Sequence, residues 1–197
     1  MRTSLDIVQG QNIVQEEDGS FSFIAGMTVD ADGSPRCYGP NDSGLDATIC
    51  AGHNGNWWGV VTDTSGNPVI QGPSDPAPGF YVSQTSLQNT KFLRTDPRRY
   101  LNAEEVAFVV VPSTLAKACK GIVLGCKVKV ENYKTQDQAW GVCGDIGPAS
   151  HLGEVSVKMA STLGIPSSPR TGGEARAIFR YTFFPGIAAK GYELQPL

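Results

Sequence analysis

Asp145 and Glu154 stand nine residues apart in "GDIGPASHLGE", residues 144–154, with a Gly-Pro turn between them and His151, one of two histidines in the chain, alongside. Two carboxyl groups on opposite lips of one loop suit glycosidic-bond hydrolysis. One gives a proton to the leaving oxygen, while the other activates water or attacks directly. That division of labour needs separated pKa values, and a Glu154 packed against apolar groups keeps its proton more readily than a solvated Asp145. Val157, Ala160 and Leu163 predict a helix over about 154–163, ended by Gly164 and Pro166. Its positive end would favour ionised Glu154 by about 0.3–1 kcal/mol, less than one pKa unit. The same residues admit a structural role, Asp145 bonding the turn and Glu154 capping the helix. A thiol route pairs Cys143 as nucleophile with His151, eight residues on, as base.

The elements that must position these groups read as strands. "VAFVVVP" (106–112) is a continuous apolar run, hence a fully buried strand. "GIVLGCKVKVENY" (121–133) alternates Val128 and Val130 with charged neighbours, which gives one buried and one wet face. "QAWGVCGDIGP" (138–148) carries Asp145 to a rim, and "ARAIFRYTFFPG" (175–186) closes the fold with Ala177, Phe179 and Tyr181 alternating. Upstream, "FSFIAGMTVDADGSPRCYGP" and "WWGVVTDTSGNPVIQGP" share the pattern Asp-x-x-Gly-x-Pro-x-x-x-Gly-Pro at 30–40 and 63–73, read as two similar hairpins. "DADG" lacks the closing glutamate of a calcium loop and is taken as a turn. Phe80 to Thr85 reads as a short strand, and Asn89 to Glu105 as a polar surface excursion. The sum is a mainly β barrel with extra hairpins and one short helix, one domain over 1–197 with its core at about 20–187.

Composition narrows the function. A formal charge of −3, from 16 basic and 19 acidic residues, offers no concentrated positive surface, so no nucleic-acid partner is expected. No stretch approaches 18 consecutive apolar residues, so no membrane partner is expected either. The five cysteines, Cys37, Cys50, Cys119, Cys126 and Cys143, predict an oxidising, extracellular setting. Cys37 with Cys50 is the preferred disulfide, with a second pair among the other three. "MRTSLDIVQGQ" shows no apolar run of a secretory signal, which leaves the export route open. His53 with Cys37 and Cys50 would lack an evident fourth zinc ligand, so no metal and no cofactor are expected.

"VCGDIGPASHLGEVSVKMASTLGIP" resembles the signature segment of the fungal-type chitosanases, family 75 of the glycoside hydrolases. "NWWGVVTDTSGNPVIQ", "DPAPGFYVSQTSL" and "VAFVVVP" resemble the same family in the same order, so the likeness spans roughly residues 30–186. It implies that Asp145 and Glu154 are the catalytic pair. The segment is also similar to the Asp-x-Gly-Pro pattern of double-psi β-barrels, which implies a six-stranded barrel and an inverting mechanism. The expected activity is then endo-acting hydrolysis of chitosan by a monomer. A muramidase-like glycosidase acting on peptidoglycan and a non-catalytic glycan-binding barrel are the alternatives. Candidate sugar contacts are Trp57, Trp58, His151, Asp63 and Tyr81. Adjacent strand residues point opposite ways, so at most one of the two tryptophans faces a groove. Asp63 and Asp75 could add negative charge for glucosamine ammonium groups, although turn capping is the simpler role.

Overall fold

The computed structural model describes residues 3–8, 10–149 and 151–197. Six strands close into a barrel: β3 (Phe21–Asp30), β10 (Glu174–Ala188), β7 (Cys126–Asn132), β8 (Gln138–Gly147), β6 (Phe108–Pro112) and β9 (Glu154–Ser156), with β9 returning to β3. Two of the pairings, β6 with β8 and β3 with β9, are parallel. The remaining barrel pairings are antiparallel. Outside the barrel lie the hairpin β1 (Thr3–Val8) with β2 (Gln11–Gln15) and the small pair β4 (Gly52–His53) with β5 (Asn56–Trp57). Two short helices complete the set, α1 (Ser113–Ala118) and α2 (Val157–Thr162).

The core fills from residues that the alternation selects. Val128 and Val130 on β7 and Phe179, Tyr181 and Phe183 on β10 are all fully buried. Every residue of β6 is buried, as its unbroken apolar run requires of a strand covered on both faces. Each such Val or Phe contributes roughly 1.5–3 kcal/mol on burial. Tyr181 stacks on Phe23 at 5.0 Å, and its hydroxyl donates to the Gly26 carbonyl at 2.7 Å, so its polar tip is satisfied in the core.

Three sequence expectations change. The helix expected from Glu154 starts only at Val157, because residues 154–156 extend alongside β3 to close the barrel. Ser156 caps it by accepting from the Met159 amide at 3.1 Å, while also accepting from Phe108 N and donating to the Val106 carbonyl. Glu154 is therefore a strand residue, two positions before the Ser156 cap rather than in the first turn of the helix. Only one of the two similar segments is a hairpin. Residues 63–67 turn as expected, but after Asp30 ends β3 beside Ser156 the chain runs on through residues 31–40 as an irregular loop and does not turn back into a hairpin. All five cysteines are free thiols in this structure, so the preferred Cys37–Cys50 bond is not formed.

Candidate active site

One cavity of about 670 Å³ opens where the ends of β3, β8 and β9 meet the loops from 38 to 59 and from 84 to 88. Its walls carry five carboxyl groups, Asp30, Asp32, Asp46, Asp145 and Glu154, and among the described residues no Lys, Arg or His. The volume is that of an ordinary ligand site.

Asp145 reaches the cavity from the end of β8, paired in register with Val110 of β6 beside an irregularity between Val109 and Val110. Its residue is 8% exposed. Its Oδ1 accepts three hydrogen bonds: from Ser86 N at 2.9 Å, Ser86 Oγ at 2.5 Å and Ile146 N at 2.7 Å. Burial raises its pKa, and those donors pull in the opposite direction by favouring the anion.

Glu154 opens β9, level with Thr28 of β3. Burial, then the charges of Asp145 and Asp46, push its carboxyl up to about 7. Gly147 gives this side chain room. A Cβ there would sit 3.1 Å from Glu154 Oε2 and 2.8 Å from Val110 Cγ1.

The sequence marks Asp30 and Asp32 as turn residues. They do turn the chain, with Asp32 N donating to Asp30 Oδ1 at 2.7 Å. They also face Asp145: one oxygen from each of the three carboxylates lies within 4.8 Å of the others. Burial and the Asp145 charge push Asp32 up to about 8, against the bonds it accepts from Tyr38 and Ser83. Burial, then the Asp32 charge, raise Asp30 well above the carboxylate range. Ionised, the three oxygens could hold a hard divalent cation. With no cation between them, like charges so close cannot all ionise, and it is Asp30 and Asp32 whose protons are held most tightly.

Trp58, 55% exposed, lines the cavity, fixed by Nε1 donating to the Cys50 carbonyl at 2.8 Å. Trp57 turns inward, tilted against Tyr81 at 6.1 Å between ring centres, in a small cluster with Ala31, Cys37, Tyr38, Ala51 and Val60. Tyr81 therefore braces the wall and does not line the cavity. Asp63 is absent from the cavity too: its Oδ1 accepts from Ser65 N and Asn67 N, which makes it a turn cap. His151 hydrogen-bonds Thr28 Oγ1 at 2.9 Å and lines a separate cavity of about 300 Å³ with Gly26, Met27 and Glu174. Cys143 is fully buried, so the thiol route has no nucleophile at a surface and no His151 beside it.

The sequence thus supplied Asp145, Glu154 and Trp58, which the fold brings to one cavity. It missed Asp30, Asp32, Asp46, Tyr38 and Ser86. The paired aspartates in "VDADG" at the end of a strand were a usable signal, hidden because turn formation alone accounts for them. Compared with protein-family models and with curated proteins, the chain matches none. No helix among the described residues is long and apolar enough to cross a membrane.

Proposed function

We propose that this chain is an endo-acting glycoside hydrolase that cleaves chitosan, the β-1,4-linked glucosamine polymer, by an inverting two-carboxylate mechanism. The observation that carries the reading is one cavity holding two carboxyls in opposed environments. Glu154 is pushed up to about 7, first by burial, and Asp145 has one oxygen held by three donors. Glu154 acts as the acid: it keeps its proton near neutrality and gives it to the glycosidic oxygen as the bond to C1 breaks. Asp145 acts as the base. Its Oδ1 is pinned by Ser86 and Ile146, which leaves Oδ2 to take a proton from the water attacking C1 on the opposite face. The proton lost by Glu154 and the one gained by Asp145 return through solvent, and the new reducing end has the α configuration. The two carboxyls suffice for this step.

Support for a cationic polymer comes from the wall: among the described residues its ionisable side chains are acids with no basic partner, so glucosamine ammonium groups meet the Asp145 anion and carboxyl oxygens that accept hydrogen bonds, whereas the carboxylates of peptidoglycan would find no counter-charge. Trp58 offers an indole face on which a sugar ring can stack. The resemblance to family 75 chitosanases points the same way.

Incubation with chitosan, chitin and peptidoglycan side by side, with products read by mass, tests the substrate. Chitosan oligomers are expected, with new reducing ends appearing inside the chain. Asp145→Asn and Glu154→Gln should each lower turnover by at least about 10²-fold while far-UV circular dichroism stays unchanged. Muropeptide release, or sugar binding with no new reducing ends, would overturn the reading in favour of a muramidase or a binding barrel.

A further inference from the structure

Two thiols face each other inside the barrel wall. The antiparallel register of β7 and β8 sets Lys127 opposite Val142, and the next step along it brings Cys126 to Cys143. Both side chains are fully buried, and each thiol is the leading influence on the other's titration. Around them the backbone is fixed on two sides. Gly125 N donates to the Cys143 carbonyl at 2.9 Å, and Cys126 also pairs with Ala188 of β10. Residues directly across an antiparallel pair have Cα atoms about 4.5–5.5 Å apart, inside the range a disulfide spans. Cys37 and Cys50 contrast with this. The Cys37 thiol points at Asp32 Oδ1, 3.7 Å away, and Cys50 lines the mouth of the cavity beside Asp46.

We propose that Cys126 and Cys143 are a built disulfide site, closed when the chain folds in an oxidising compartment and open as two thiols in a reducing one. The step balances with a small-molecule disulfide such as oxidised glutathione as the oxidant. The Cys126 thiolate attacks it and releases one glutathione thiol. Cys143, losing its proton, then attacks the Cys126–glutathione sulfur, forms the Cys126–Cys143 bond and releases the second. Two protons and two electrons leave the protein and reappear on two glutathione thiols. Because the pair is buried once the barrel is shut, closure belongs to folding rather than to the finished molecule. The bond would lock the β7–β8 hairpin two residues before Asp145.

The test refolds the full chain from denaturant in a glutathione redox buffer and, separately, exports it to a bacterial periplasm. Thiols are then alkylated before and after reduction and mapped by peptide mass. Three alkylated cysteines before reduction and five after are expected, with the linked peptide joining 126 to 143. Reduction should lower the melting temperature by roughly 6–12 °C, as for a loop of about 15 residues in a domain of this size. The Cys126→Ser/Cys143→Ser double variant should melt at one temperature with or without reductant, and Cys119→Ala should keep the full shift. Five alkylated thiols in both preparations, or a link made through Cys119, Cys37 or Cys50, would overturn the assignment. Either readout is independent of chitosan hydrolysis.

Discussion

At Asp145, burial and hydrogen bonding compete on the same carboxyl group, and their balance decides which member of the acidic cluster ionises first. Asp145 has three donors on one oxygen, while Asp32 and Asp30 are raised more steeply, in part by the charge that Asp145 carries. Asp145 is then the first of the cluster to lose its proton, ahead of Glu154 at about 7 and Asp32 at about 8. Ser86 is the lever. Its Oγ supplies the shortest of the three bonds, and a hydrogen bond to a charged group contributes about 1.5–3 kcal/mol, or about 1–2 pKa units. In Ser86→Ala the acidic limb of the kcat/KM profile should therefore move up by about one unit or more, while the alkaline limb set by Glu154 stays near 7. A purely structural Ser86 would instead lower the rate equally across the profile.

The strands carry these groups to one place, and they do so with unequal visibility in the sequence. β6, β8 and β10 were legible because an apolar run or a strict alternation reports burial directly, and burial is what makes a strand in a closed barrel. β9 was not. Three residues carry no periodicity, and Glu154–Ser156 is extended only because β3, distant in sequence, accepts it as a parallel neighbour. The same holds for Ser86, which reaches Asp145 from a loop whose own residues announce nothing. Asp145 and Glu154 could be picked out because their loop sets their separation; the Asp30–Asp32 contribution depends on how β3 meets β8, which only the closed barrel defines. At this scale Gly147 is the informative position. It ends β8 opposite Pro112, and a methyl there presses on Val110 and on Glu154 together. Gly147→Ala should cost about 1–3 kcal/mol of stability through overpacking, yet lower turnover by tenfold or more, because displacing the acid by a fraction of an ångström is amplified in the rate. Thermal melts and kcat on the same preparation separate the two effects. A variant with a lower melting temperature and full turnover would show that Glu154 does not need its present position.

For the molecule as a whole, gathering acids in one cleft has a cost that depends on pH. Asp30, Asp32, Asp145 and Glu154 all hold protons more tightly in the folded protein than carboxyls do in an unfolded chain. Raised carboxyls stabilise the fold fully below their unfolded values near 4, and the contribution fades as pH climbs through the folded values. Glu154 sets about 7 and Asp32 about 8 as the upper part of that window. Across it the folded state binds more protons than the unfolded one, so stability falls with rising pH. The surface supplies the opposite slope only at lower pH. Asp42 and Glu174, pulled down to about 2 by hydrogen bonds from Arg170 and Arg176, lose their pairing as pH drops from 4 toward 2, and such surface pairs contribute little. The melting temperature should thus peak near pH 4 and decline by roughly 5 °C or more by pH 8. Replacing the two upper carboxyls together, in Asp32→Asn/Glu154→Gln, should flatten that decline while leaving the acid side of the curve as it was. A wild-type curve that stays level from pH 5 to 8 would mean that the cluster is solvated enough to ionise freely, and the protonated acid on which hydrolysis by Glu154 depends would be lost with it.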